Sequence, residues 1–355
     1  MLTDSPPDLD RRVLDALHRQ GQPPLLVIPR CASTGWRFAS LLFALVWLPL
    51  LLLRFGRPIA RMGGRMRGGY GSLRSGMRAF VELQAASLAF FWSRRDTLRG
   101  TDLLYAHDQM AGLTAWLVCR VYGVPYIYDA HEIVPFRARR TGLGRMLLEY
   151  GWERAIVGAS RRCVVVNRPM QRFYRCLYGT ATYEVRENDF FPERAVPLDP
   201  AGRRLVVYIG AIGQHRGLER MVDLAASQGA EVLCFCSGDN PGAIGLSGAE
   251  VHGLVNYEPL LLRRVAGAAP YLWCGFDNDV LSYSYALPNK FFQAMALGIP
   301  IIATPGSYLG RLATRHGLGI VLDAKADPWL PGTYSRCVRS MVAFRAAYRV
   351  GALSI

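Results

Sequence analysis

Hydrophobic and polar positions along this chain follow two interleaved patterns: short apolar runs bounded by polar or turn residues, and longer stretches in which apolar residues recur at helical spacing. Met1 to Thr3 reads as the stub of a strand, Leu9 to Gln20 as an amphipathic helix, and Pro24 to Ile28 as a strand. Leu103 to Asp108, Tyr126 to Glu132 and Arg162 to Asn167 supply further apolar runs, the first two ending in polar residues. Strands alternating with helices at this spacing predict a parallel sheet with right-handed crossovers, whose carboxyl edge is the side that binds ligands.

Between Asn188 and Arg204 the sequence turns rich in proline and charge, which suits a linker. A second series follows it. Arg203 to Gly213 reads as a strand and glycine loop, Gly217 to Gln228 as a helix, Ala230 to Asp239 and Ala249 to Val255 as strands. Pro259 to Ala268 reads as a helix, and Tyr271 to Cys274 and Ile301 to Ala303 as strands. The spacing therefore predicts two domains, residues 1–195 and 200–340, with residues 341–355 opening a C-terminal helix that stops short.

The stretch from Ser284 to Thr304 joins a loop, a short helix and a buried strand. Pro288 fits a first helical turn, Gly298 the left-handed stop, and Pro300 bars continuation before an apolar strand begins. At such a helix start the unbonded amides and the positive dipole end attract an anion, and Lys290 adds a full charge. Asn289 and Gln293, four residues apart, are expected to share the face that carries Lys290, with Phe291, Phe292, Met295 and Ala296 buried on the other side.

One segment breaks the alternation. Ala39 to Leu53 is continuously apolar, is bounded by Arg37 and Arg54, and leads into a basic, glycine-rich stretch. It is short for a bilayer crossing, and strands of one domain lie on both sides of it. The pattern therefore predicts a helix lying in a membrane surface within residues 38–70, with its arginines on anionic headgroups, assisted by a second apolar helix near Phe80 to Trp92. The first thirty residues are polar and carry no cleavable secretory leader. Such a protein belongs in the cytoplasm, peripheral on the inner face of the plasma membrane.

Composition adds three constraints. At 355 residues and 51% hydrophobic, the chain can bury two cores. Its net charge of +15 comes almost wholly from arginine, since Lys290 and Lys325 are the only lysines, and this favours anionic partners. Basic runs without interleaved aromatics argue against nucleic acid. The eight cysteines show neither paired metal spacing nor a nearby histidine set, so they read as buried hydrophobes in a reducing compartment.

His107, in LLYAHDQ, and His131, in YIYDAHEIV, both stand at the carboxyl ends of predicted strands and beside a carboxylate, Asp108 and Glu132. Side chains there reach a ligand edge.

Taken with the YIGAIGQHRGLE loop and ALPNKFFQAMALGIP, these motifs resemble glycosyltransferase family 4, over nearly the whole chain and in the family's order. The resemblance implies an α/β protein of GT-B fold: two Rossmann-like parallel-sheet domains facing across a cleft, the first on the acceptor side and the second binding a nucleotide sugar. It implies retention at the anomeric carbon, with a nucleoside diphosphate sugar as donor substrate and no separate cofactor or metal ligand. The implied acceptor is a glycan or lipid-linked sugar of cell-envelope or exopolysaccharide synthesis.

Carried over by position, His131 contacts the transferred sugar with Glu132 and His107 as neighbours. Gly210 and Gly213 form the glycine loop, and Arg216 stands where the family uses a phosphate-binding lysine. Gly253 lies by the base, Leu287, Asn289 and Lys290 face the diphosphate, and Gln293 faces the ribose. Where the family carries two glutamates, this chain has Tyr285 and Gln293, and Ala211 replaces an arginine. Asp277 and Asp279 read as a solvated loop. Three other readings stay open: a non-catalytic scaffold of the same fold, a nucleotide-sugar epimerase, and a dinucleotide oxidoreductase, the last opposed by the spacing of Gly210 to Gly217.

Overall fold

The computed structural model describes residues 2–3, 26–27, 73–136, 143–179, 181–188, 191–194, 196–213, 215–237, 246, 248–276, 280–322 and 327–351. The predicted membrane-surface segment at 38–70, the amphipathic stretch Leu9 to Gln20, and Asp277 and Asp279 lie outside them. The chain divides into two compact units, Met1–Glu187 with Asp279–Ser282, and Asn188–Asn278 with Tyr283–Ile355.

In the first unit β1 (Leu2–Thr3), β2 (Leu26–Val27), β3 (Leu104–His107), β4 (Tyr126–Ala130), β5 (Arg162–Val165) and β6 (Tyr183–Val185) form one parallel sheet in the order β2-β1-β3-β4-β5-β6. Its helices among the described residues are α1 (Leu73–Ser93), α2 (Arg95–Arg99), α3 (Asp108–Tyr122), α4 (Leu143–Ala159) and α5 (Arg168–Tyr178). Each boundary has a local cause. Gly123 ends α3 in the left-handed region at φ 74°, and the Asn167 side chain accepts the Met170 N–H at 2.8 Å to start α5.

Part of the stretch Phe80 to Trp92, expected to assist membrane binding, is instead interior. Ala85, Ala86, Ser87, Phe90 and Phe91 of α1 are buried, and Ser87 Oγ donates to the Met110 carbonyl at 3.1 Å, tying α1 to α3. These apolar residues pack on protein, while Trp92 is exposed. Among the described residues no helix is long and apolar enough to cross a membrane.

The second unit contains β7 (Arg203–Ala211), β8 (Glu231–Ser237), β9 (Glu250–Gly253), β10 (Ala268–Trp273), β11 (Ile301–Ala303) and β12 (Gly319–Val321), all parallel, in the order β12-β11-β10-β7-β8-β9. Helices α6 (Leu218–Ser227), α7 (Glu258–Val265), α8 (Leu281–Ser284), α9 (Asn289–Leu297), α10 (Tyr308–His316) and α11 (Pro331–Arg349) complete it, apart from the first part of α8, which belongs to the first unit. Strand direction reverses its order of addition between β7 and β10, the doubly wound arrangement, so the switch point lies at the carboxyl ends of those two strands.

Period-2 alternation builds both faces of this sheet. Leu205, Val207 and Ile209 of β7 face a core with Phe291, Met295, Met341 and Phe344, while Val206 and Tyr208 face another with Met221, Trp329 and Tyr334. Each such fully buried side chain contributes about 1.5–3 kcal/mol. At Gly319 an added Cβ would collide with the Ile301 carbonyl oxygen, so the β11–β12 approach requires glycine there.

Two expected boundaries move. The division falls at 187/188 rather than in 196–199, because Phe191 is part of the second unit's core and the Arg194 N–H bonds the Ala296 carbonyl at 3.0 Å. The C-terminal helix spans Pro331–Arg349 without a break at 340, since Tyr334, Cys337, Met341 and Phe344 keep one continuous buried stripe.

Candidate functional site

In the second unit the site grows from the loops that leave β7 and β10. Tyr208 precedes Gly210, whose φ of 148° is one that L side chains rarely adopt, and the chain then turns through His215 and Gly217 at φ 70° and 63° into α6. Two hydrogen bonds hold this loop against β10: Trp273 Nε1 donates to the Arg216 carbonyl at 3.0 Å, and Arg220 Nη2 to the Phe276 carbonyl at 2.9 Å. The Arg216 guanidinium stacks over the rings of Phe276 and Tyr283, 5.4 Å from each centroid.

Lys290 enters the same space from the first turn of α9. Pro288 sits extended at the N-cap and makes no side-chain cap bond, and Gly298 closes the helix at φ 70°. Lys290 is 6% exposed, its Nζ has no hydrogen-bond partner, and it lies 4.4 Å from the Tyr208 ring centroid and 4.8 Å from that of Phe276. Burial, with the Arg216 charge adding to it, pushes its ammonium down from 10.5 to about 7. The amine is held between two aromatic faces at a helix N-terminus, beside a second cation. Arg216 and Lys290 thus meet at the Phe276 ring, beside the switch point.

Other sequence-named residues are not gathered there. Asn289 Oδ1 accepts from Asn188 Nδ2 at 2.7 Å. Gln293 Nε2 donates to the Tyr257 hydroxyl at 2.5 Å and lines, with Phe191, Arg194 and Glu258, a separate cavity of about 30 Å³. Gln293 and Lys290, expected on one face, therefore meet different surroundings, the Tyr257 hydroxyl for Gln293 and the rings of Tyr208 and Phe276 for Lys290. Leu287 is 3% exposed and belongs to the core, and Gly253 ends β9 at an exposed position with open space beyond its Cα.

In the first unit His107 is the last residue of β3 and His131 follows β4 directly, as their apolar runs predicted. Parallel register places His107 opposite Asp129, and Asp129 and His131, two apart, project to the same side. His107 Nδ1 lies 3.1 Å from His131 Nε2 and 3.3 Å from Asp129 Oδ2. Tyr105 donates to Asp129 Oδ2 at 3.0 Å, and Arg186 to the Tyr105 hydroxyl at 2.9 Å. Asp108, at φ 61°, brings Oδ2 to 3.9 Å from His131 Nδ1. A non-glycine residue in the left-handed region costs about 1 kcal/mol and marks a place where geometry was selected over comfort.

Glu132 enters through its backbone. Its carbonyl oxygen lies 2.8 Å from the Tyr174 hydroxyl, which is also 2.7 Å from Glu153 Oε1; Glu153 further accepts from Tyr128 at 3.0 Å and Tyr178 at 2.6 Å. Glu153 is fully buried, and burial pushes its carboxyl up from 4.5 to about 7 despite the three phenols. The single Tyr174 proton serves the carboxylate or the Glu132 carbonyl, so a protonated Glu153 releases it to the loop that carries His131. The folded state holds this proton more tightly than the unfolded one. Stability therefore falls as pH rises from about 4.5 to 7, and Glu153→Gln should flatten that part of the urea-midpoint profile; an unchanged slope would place the titration elsewhere.

Sequence reading missed Asp129, Tyr105, Tyr208 and Phe276. Asp129 was legible in principle, since it precedes His131 by two in a strand whose neighbour ends in His107. The two aromatic walls carry no motif and emerge only from packing.

No protein-family model matches the sequence, and no curated protein matches it. Solved structures do. Sucrose-phosphate synthase from Thermosynechococcus elongatus is 16% identical over 76% of this chain and 77% of its own, with a TM-score of 0.52. HepE from Anabaena, solved in complex with UDP, is 13% identical over 75% and 82% (TM-score 0.49), and WaaG, a glycosyltransferase involved in lipopolysaccharide biosynthesis, 10% over 79% and 94% (TM-score 0.47). At these identities the likeness is one of fold: the chain has the GT-B glycosyltransferase fold, with two Rossmann-like units.

Proposed function

We propose that the protein is a retaining glycosyltransferase that moves a sugar from a nucleoside diphosphate sugar to an acceptor hydroxyl. The observation that carries the reading is Lys290, a buried amine with no hydrogen-bond partner at the start of α9, sharing the Phe276 ring with Arg216 beside a doubly wound switch point. A buried amine left without a partner suits a pyrophosphate, whose oxygens would accept from both cations and from the α9 amides.

The chemistry asks little else of the second unit. As the glycosidic C–O bond to the diphosphate breaks, negative charge grows on the departing oxygen, and Arg216 and Lys290 stabilise it where it forms. The acceptor hydroxyl attacks the anomeric carbon from the face the diphosphate leaves, passing its proton to that leaving group, and configuration is retained. His131, oriented by His107, Asp129 and Asp108, is assigned to the transferred sugar, with Glu132 beside it. Gly210 and Gly213 let the backbone approach the phosphates, and Gly253 lies by the base.

For the acceptor we propose a lipid-linked glycan of the cell envelope or of an exopolysaccharide, reached at the inner face of the membrane. Support comes from the apolar segment Ala39 to Leu53 between arginines. Flotation with anionic liposomes should carry the full chain, and deletion of residues 39–53 should abolish it; a chain that stays in solution with its segment intact would remove the lipid-linked acceptor.

Binding tests the donor assignment directly. Uridine or guanosine diphosphate should bind by calorimetry and raise the thermal midpoint, and Arg216→Ala should weaken that binding about tenfold, the worth of one charge-assisted contact. Should neither nucleotide bind, the scaffold reading takes over, which the engagement of Gln293 by Tyr257 would then explain.

A further inference from the structure

We propose that His107 Nδ1, Asp129 Oδ2 and His131 Nε2 form a three-ligand site for a divalent transition metal of borderline softness, with Zn²⁺ as the reference ion. The three atoms stand 3.1, 3.3 and 3.8 Å apart (His107 to His131, His107 to Asp129, His131 to Asp129), one face of a tetrahedron. Zinc bonded at about 2.0–2.1 Å needs ligand atoms separated by about 3.3–3.4 Å along each edge, so the ion enters with sub-ångström adjustment.

Two imidazoles and one carboxylate select the metal class. Magnesium and calcium take oxygen shells, whereas nitrogen-rich mixed sets suit zinc and its neighbours. The surroundings support two of the three ligands, Asp129 and His131. Tyr105 holds Asp129 from behind at 3.0 Å and is itself held by Arg186, while Asp108 stands 3.9 Å from the far nitrogen of His131. His107 and Asp129 are almost fully buried and the His131 side chain is 18% exposed, so the fourth coordination position opens past His131.

Metal uptake goes beyond the transfer reading and draws on the same histidine. An ion on His131 Nε2 withdraws that nitrogen from a sugar, so the loaded protein is the slower transferase. The site thus couples activity to metal supply, and transfer itself runs on the metal-free form.

Chelator-treated full-length protein titrated with Co²⁺ should take up one ion per chain with the intense visible bands of a tetrahedral site, and Zn²⁺ should displace it. His131→Ala should lose the bands. Asp108→Asn, which keeps all three ligands, should weaken uptake by about 10–100-fold. Circular dichroism checks that each variant is folded, and His131, at the edge of the sheet, is the substitution expected to leave the fold intact. Absence of stoichiometric uptake by the unsubstituted protein, or uptake unchanged in His131→Ala, overturns the site. Nucleotide binding on the same samples keeps the two ideas apart: diphosphate binding without metal uptake refutes the metal site alone, and metal uptake without diphosphate binding refutes the transfer reading alone.

Discussion

Lys290→Met should abolish most diphosphate binding and at the same time raise the melting midpoint of the second unit. The two effects have one origin. Lys290 is buried beside Arg216 and two aromatic rings with no hydrogen-bond partner, so the folded state disfavours its charge and holds its ammonium near 7 against 10.5 ordinarily. Methionine has a similar volume and needs no solvation there, and replacing a buried charge by a packed apolar side chain stabilises by about 1–3 kcal/mol. Removing the cation also removes a charge-assisted contact to the diphosphate, which costs about 10–100-fold in affinity.

The linkage has a definite sign. Between about pH 7 and 10.5 the unfolded chain binds this proton and the folded chain does not, so stability rises with pH in that window. A bound diphosphate restores the charge, so near pH 8 binding should take up about one proton, read as a dependence of calorimetric enthalpy on the ionisation enthalpy of the buffer. Methionine at 290 should erase the uptake. Affinity unchanged by the substitution, or binding without proton uptake, would move the diphosphate off Lys290.

His131→Ala should lower turnover by about 10²–10³-fold while leaving diphosphate affinity unchanged. The separation follows from architecture: His131 belongs to the first unit's sheet edge, whereas Arg216 and Lys290 belong to the second unit. The substitution removes the 3.1 Å contact to His107 but leaves His107 Nδ1 against Asp129 Oδ2 at 3.3 Å, so the fold should survive. Assays with chelator present exclude a metal contribution. Full turnover in the variant would take His131 out of the reaction, and a parallel loss of diphosphate binding would show that the variant damages more than its own site.

Strand identity, helix stops and the alternation of parallel units were legible because they depend on neighbours in sequence. Apolar runs such as Leu205 to Ile209 encode a strand buried on both faces, Gly298 encodes a left-handed cap, and the runs ending at His107 and before His131 place both histidines at a carboxyl edge. Position within a helix face was less legible. Lys290 was expected to look outward with Asn289 and Gln293, yet it is buried, because what lies across from it is set by β7 and β10, whose residues are distant in sequence. The same holds for Phe80 to Trp92, whose apolar face reads equally well as lipid-seeking or core-seeking until α3 is seen against it.

By itself, then, the sequence determined two doubly wound halves, their turn chemistry and the short helix that opens with Lys290, since period, caps and glycines act over a few residues. Only tertiary structure decided that Arg216 and Lys290 meet at the Phe276 ring, and that His107, Asp129 and His131 converge to within 3.8 Å. Those juxtapositions depend on strand order and register, which fix how separate segments meet and which no local pattern specifies.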